Sequence, residues 1–167
     1  MPEGDSLYRY AKRLDAALAG KRIEQAEARG PGRIPQVGRL EGATCTGARS
    51  HGKNVILSFD NGLALRVHLR MWGKWGIYAP GEPWTIGRGS GPAHPRLILQ
   101  TNDVVAVCFD VPVVELVAER ALSVQHGLAT LGPDLLGDDF DAAAVLRAFR
   151  DPPSPSSASA TRSWISA

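Results

Sequence analysis

Three stretches of this chain have residue types and spacing that could do chemistry. The first is the start, Met1-Pro2-Glu3-Gly4-Asp5, where removal of the initiator methionine makes Pro2 the amino terminus, a free secondary amine. An α-amino group titrates near pH ~7.7–8.0 and so is partly unprotonated at neutrality, whereas a lysine near ~10.4 must be desolvated before it attacks anything. A secondary amine on a sugar C1′ gives an iminium ion, which acidifies the neighbouring carbon and opens a route to strand cleavage, and Glu3 stands beside it as a general acid or base. The plain alternative is that Met-Pro is a common start and Pro2 a mobile terminal residue.

The second stretch is His51-Gly52-Lys53, at the start of a hairpin strand, where glycine lets the backbone approach a ligand and lysine projects a point charge. A solvated lysine at a strand end is the alternative. The third is Val67-His68-Leu69-Arg70-Met71-Trp72-Gly73, which leaves a strand with a histidine, an arginine and two large apolar side chains close together. Flipping a base out of a duplex leaves a hole, and an apolar or flat side chain at a loop tip is suited to fill it. Met71 and Trp72 could instead be core residues that close the hairpin, and His68 a hydrogen-bonding structural group.

These residues need elements to hold them. Leu7, Tyr10, Ala11, Leu14 and Leu18 recur at helical spacing, with Asp5 able to cap the start and Gly20 to end it. The polar face carries Arg9, Lys12 and Arg13, and the helix amino terminus, beside Pro2, favours an anion such as a DNA phosphate. From Ile23 to about Arg120 the signals turn to short strands. One hairpin joins Asn54–Phe59 to Leu63–Leu69 across Asp60-Asn61-Gly62; a second joins Arg96–Thr101 to Val104–Phe109; a strand or short helix follows at Val113–Val117. Pro80–Pro95, rich in glycine and proline, reads as a long surface loop. The expected fold is mainly β, a β-sandwich with flanking helices rather than a parallel α/β sheet.

At 167 residues, 44% hydrophobic and 22% charged, the chain fits one globular domain with a real core. The net charge of +2 hides an asymmetry: residues 1–80 hold 13 Lys/Arg against 7 Asp/Glu, and residues 81–167 hold 6 against 10. A basic half is the electrostatic footprint of a nucleic-acid binder. Cys45 and Cys108 lie far apart in strand-like runs, outside any Cys-x-x-Cys or Cys/His cluster, so they read as buried reduced thiols, with no metal site in these residues. No signal peptide or membrane-length apolar stretch is evident, which predicts a cytoplasmic protein without a membrane partner.

Pro2-Glu3-Gly4-Asp5 followed by an amphipathic helix resembles the start of the formamidopyrimidine-DNA glycosylase and endonuclease VIII family, particularly its endonuclease VIII-like branch, and the resemblance runs over roughly residues 1–151. It implies a base-excision repair DNA glycosylase with AP (apurinic or apyrimidinic site) lyase activity, acting as a monomer on damaged double-stranded DNA in the bacterial cytoplasm, in association with the nucleoid. It gives Pro2 the role of Schiff-base nucleophile, Glu3 that of proton handler at the sugar, Lys53 the phosphate and lesion contact, and Met71 the wedge. Arg70 and Trp72 flank the wedge, and His68 matches a histidine near the sugar-phosphate. Leu131-Gly132-Pro133-Asp134 resembles the segment that closes the family's amino-terminal domain, before a helix-like stretch from Ala142 to Phe149.

Three departures refine the expectation. Ser6 stands where many relatives place a second glutamate. Phe109-Asp110-Val111-Pro112 lacks the arginine-phenylalanine pair that 8-oxoguanine-type members insert opposite the lesion, which favours oxidised pyrimidines as substrate. The sequence stops where the family's helix-two-turn-helix and zinc finger should begin, so no cofactor is expected in this chain. Residues 152–167 hold six serines, three alanines and three prolines, a composition that cannot build a packed element. This tail is expected to be irregular and translated out of frame. The alternative function is a truncated, catalytically impaired product with at most weak DNA binding. A tautomerase-type enzyme also uses a terminal proline, but in those compact chains strand and helix alternate.

Overall fold

The computed structural model describes residues 4–31, 34–84 and 94–122. The chain divides into two compact units, residues 1–131 and 132–167, and every described residue lies in the first. Pro2, Glu3, most of the Pro80–Pro95 stretch, the Leu131–Asp134 segment, the helix expected at Ala142–Phe149 and the 152–167 tail fall outside the described residues.

Helix α1 covers Gly4–Leu18. Leu7, Ala11, Leu14 and Leu18 are buried and Tyr10 half-buried, as the helical spacing requires, while Arg9, Lys12 and Arg13 are exposed. Asp5 does not precede the helix as a cap. It lies inside the first turn, where its carboxylate complements the helix dipole and pairs with Arg9 at 2.7 Å, four residues on. Gly20 follows the last turn and donates its N–H to Cys45 O at 2.8 Å.

Eight strands follow among the described residues: β1 (Gln25–Ala28), β2 (Cys45–His51), β3 (Asn54–Phe59), β4 (Leu63–His68), β5 (Lys74–Tyr78), β6 (Pro95–Gln100), β7 (Val105–Phe109) and β8 (Val113–Ala118). They form two antiparallel four-stranded sheets, ordered β1-β6-β7-β5 and β2-β3-β4-β8. Both expected hairpins are present as β3–β4 and β6–β7, and the ambiguous Val113–Val117 run is a strand at the edge of the second sheet. Val55, Leu57 and Phe59 from β3, Leu65 and Val67 from β4, and Leu97, Leu99, Ala106 and Cys108 from the first sheet meet the apolar face of α1 in one core. This is the mainly β sandwich with a leading helix that the turn spacing predicts. Both cysteines are buried free thiols, and burial raises Cys45 to about 11, so it behaves as a small core hydrophobe.

The helix is oriented by two contacts along β2. Gly20 meets Cys45, while Asp15 Oδ1 accepts the Ala48 N–H at 2.8 Å, just past a register irregularity between Cys45 and Gly47 that frees this donor. Helix and strand therefore run in opposite directions, and Gly4 is carried toward the end of the sheet where β2 turns into β3. Among the described residues no helix is long and apolar enough to cross a membrane.

Candidate nucleic-acid interface

The β2–β3 turn, the exit of β4 and the entry of β8 lie at one end of the second sheet, because Asn54 pairs with His68 and His68 with Val113 in the strand registers. Lys53 is not at the start of a strand but in the tip of a two-residue turn, Gly52-Lys53, that makes β2 and β3 a third hairpin. Gly52 holds φ +57°, the left-handed value expected of glycine at the first position of such a turn. Lys53 is exposed at the tip.

After β4 the chain makes a compact finger. Leu69 is fully buried, and Gly73 closes a one-turn loop by donating its N–H to Leu69 O at 3.0 Å. A Cβ on Gly73 would stand 2.6 Å from Leu69 O and 2.9 Å from Leu69 Cα, so only glycine fits. Arg70 takes φ +48°, a conformation that costs a non-glycine residue on the order of 1 kcal/mol. The result is that Met71 and Trp72 are 57% and 72% exposed, while Leu69 and Trp75 on either side of the finger join the core. Met71 and Trp72 therefore do not close the hairpin; the apolar residues that do are their neighbours in sequence.

His68 connects the two features. It is half-buried, and its Nδ1 is shielded from solvent without a hydrogen-bond partner. Burial holds its pKa below the ordinary histidine value, and the positive charges of Arg66, Arg70 and Lys53 push the same way. Lys53, Arg70 and Arg66 therefore share one positive field centred on a neutral imidazole. Arg66 is committed to Glu115, at 2.8 Å, whereas Lys53 and Arg70 form no ion pair with another described residue. Such a surface favours an anion. A lowered folded pKa means that protonation opposes folding, so stability should fall as pH drops below about 6.5, where His68 in the unfolded chain takes up its proton first. Denaturant midpoints measured over this range should show a shallower acid loss for His68→Gln than for the parent chain.

A cleft of about 790 Å³ follows the outer edge of β8, lined by Ile34–Gln36, Arg39 and Pro112–Ala118, and none of Lys53, His68, Arg70, Met71 or Trp72 lines it. Among the described residues no group of three or more His, Cys, Asp or Glu side chains could hold a metal ion. The Phe109–Pro112 segment is a short link between β7 and β8, with Phe109 and Val111 buried and only Asp110 and Pro112 turned outward to any degree. It presents no long finger of its own.

The sequence reading missed Gly73 and the polar side chains under the Lys53 turn, Asn54, Arg66 and Glu115. The one signal for them was a polar or charged residue interrupting otherwise apolar strand runs.

Residues 1–112 match the model of the formamidopyrimidine-DNA glycosylase N-terminal domain. The chain is 40% identical over 155 residues to a probable endonuclease 8 of Streptomyces coelicolor, covering 92% of this chain and 53% of that protein. It is 34% identical to a DNA-(apurinic or apyrimidinic site) lyase of Mycolicibacterium smegmatis, covering 84% of this chain and 51% of that one. In structure it is similar to Lactococcus lactis Fpg in complex with DNA containing N7-benzyl-Fapy-dG, with a TM-score of 0.61 and 25% identity over 72% of this chain and 45% of that one. The chain thus spans about half the length of the relatives it matches. With the family's amino-terminal domain matched over residues 1–112, this chain belongs to the formamidopyrimidine-DNA glycosylase family.

Proposed function

We propose that this chain carries the catalytic half of an endonuclease VIII-like DNA glycosylase and AP lyase that acts on damaged double-stranded DNA, as a monomer in the cytoplasm. One observation carries the reading. An exposed apolar finger, Met71-Trp72, stands beside the positive charges of Lys53 and Arg70 and the imidazole of His68, at the end of the sheet toward which the amino terminus of α1 points. Pro2 is two residues before Gly4 in the sequence, and in this reading its amine acts at that same end.

In the proposed reaction Pro2 attacks C1′ of the damaged nucleotide, the base departs, and an iminium ion links protein to sugar. Glu3 handles protons at the sugar ring, and loss of the C2′ proton followed by β-elimination breaks the strand. Lys53 binds phosphate and contacts the lesion, His68 and Arg70 add to the anion site, and Met71, with Trp72 beside it, occupies the space the flipped nucleotide leaves. An amine nucleophile supplies this chemistry without a metal or other cofactor. The relatives' names, an endonuclease 8 and an abasic-site lyase, and structural neighbours bound to abasic-site DNA support the reading. The short Phe109–Pro112 link supports oxidised pyrimidines as the excised bases, since it offers no side-chain pair to insert opposite a purine lesion.

The test is borohydride trapping of the 167-residue chain on DNA with an abasic site. Hydride adds to the iminium carbon and leaves a stable amine, so a covalent protein–DNA band is expected with single-stranded abasic DNA, where no base need be flipped. Absence of any adduct, with DNA binding retained, would leave a binding module without turnover in place of the enzyme.

A further inference from the structure

The Lys53 turn is tied to the middle of the second sheet by a polar relay. Asn54 Nδ2 donates to His51 O at 3.1 Å, across the foot of the turn, and Asn54 Oδ1 accepts from Arg66 Nη1 at 2.9 Å. Arg66 then gives Nε and Nη2 to Glu115 Oε2 at 3.0 and 2.8 Å. The registers produce this line, since Asn54 opposes His68 and Arg66 opposes Glu115, which places β3, β4 and β8 side chains on one face. Asn54 is only 5% exposed and the Arg66 side chain 12%. A buried amide costs stability unless both its ends are bonded, and here both are. A two-residue turn that begins with glycine has little stiffness of its own, so the place of Lys53 depends on what holds the flanks of the turn.

We propose that Asn54, backed by Arg66 and Glu115, is a positioning residue for Lys53. It reaches no DNA itself; it fixes the foot of the turn so that the lysine ammonium is presented to a phosphate in one place instead of being ordered on binding. This rests on the reading above that Lys53 contacts DNA. Pre-ordering of this kind improves affinity by removing a cost, and leaves the contact itself unchanged.

The experiment is a double-mutant cycle on the full 167-residue chain, with binding to a single-stranded abasic oligonucleotide measured against salt concentration. Lys53→Ala should weaken binding about tenfold at low salt and flatten the log–log salt slope by about 0.7, the value of one lost phosphate contact on a single strand. Asn54→Ala should weaken it nearly as much, and adding Lys53→Ala to Asn54→Ala should then cost less than about twofold. Glu115→Gln, which loosens Arg66 at a half-exposed position, should show the same non-additivity in smaller measure and covers the case in which Asn54→Ala folds poorly. Ser58→Ala is the control: Ser58 is as buried on the same face of β3 and bonds Glu119 and Arg49, so its loss should lower the unfolding midpoint without altering the effect of Lys53→Ala. If Lys53→Ala changes neither affinity nor slope, the DNA-contact reading of Lys53 fails. If it changes both but adds fully to Asn54→Ala and to Glu115→Gln, the relay is structural only and the positioning proposal is overturned.

Discussion

Replacing Pro2 by glycine should remove most of the borohydride-stable adduct on single-stranded abasic DNA, a fall on the order of a hundredfold in trapping rate. The variant still ends in an amine, so the loss measures placement and amine type, not the presence of nitrogen. A secondary amine forms an iminium that needs no further proton loss, and the pyrrolidine ring removes a backbone rotation at the terminus. Glycine restores that freedom, and misplacing a nucleophile by about 1 Å costs roughly 10²-fold. Lys53 stands exposed at the tip of its turn and is assigned to the phosphate contact in the proposed reaction. Unchanged trapping by Pro2→Gly would take Pro2 out of the mechanism, and the search for the amine would move elsewhere in the chain.

The fold was legible in the sequence because its signals are local. The apolar stripe of α1 from Leu7 to Leu18, and the Asp60-Asn61-Gly62 and Asn102-Asp103 turns between β-branched runs, each depend on residues within one element or one hairpin. β2 and β5 were harder. Cys45–His51 has few β-branched residues and draws its place from pairing with β3, and Lys74–Tyr78 is a strand because Trp75 and Tyr78 find neighbours across the sheet. The turn character of Gly52-Lys53 stayed hidden for the same reason, since one of its strands was not recognised. Met71 and Trp72 were ambiguous in sequence, because a large apolar side chain is as good for a core as for a protruding tip. What decides between them is the backbone at Arg70 and the steric demand at Gly73, neither of which a residue pattern reports. The Asn54–Arg66–Glu115 relay joins three strands through positions far apart in the chain, so only the registers bring it together.

The finger itself should prove to be a duplex-specific device. Taking a nucleotide out of a duplex costs a few kcal/mol in lost stacking and pairing, and a side chain that fills the vacancy offsets part of that cost. In a single strand there is no vacancy. Met71→Ala with Trp72→Ala should therefore lower trapping on duplex abasic DNA by on the order of tenfold or more, equivalent to ~1.4 kcal/mol or above, while leaving trapping on single-stranded DNA within about twofold of the parent. Both side chains are more than half exposed, so their removal should barely move the unfolding midpoint. Gly73→Ala separates the presence of these side chains from their presentation. The new Cβ would meet Leu69 O and Leu69 Cα inside van der Waals distance, so the closing bond from Gly73 N–H to Leu69 O cannot keep its geometry, and the finger must rearrange although Met71 and Trp72 remain. Its duplex to single-strand trapping ratio should fall to that of the double alanine variant. If Gly73→Ala lowers both substrates equally, the damage is to the fold and not to the finger. If the double alanine variant keeps the parent ratio, Met71 and Trp72 do not fill the vacated space, and the exposed pair must serve some other contact.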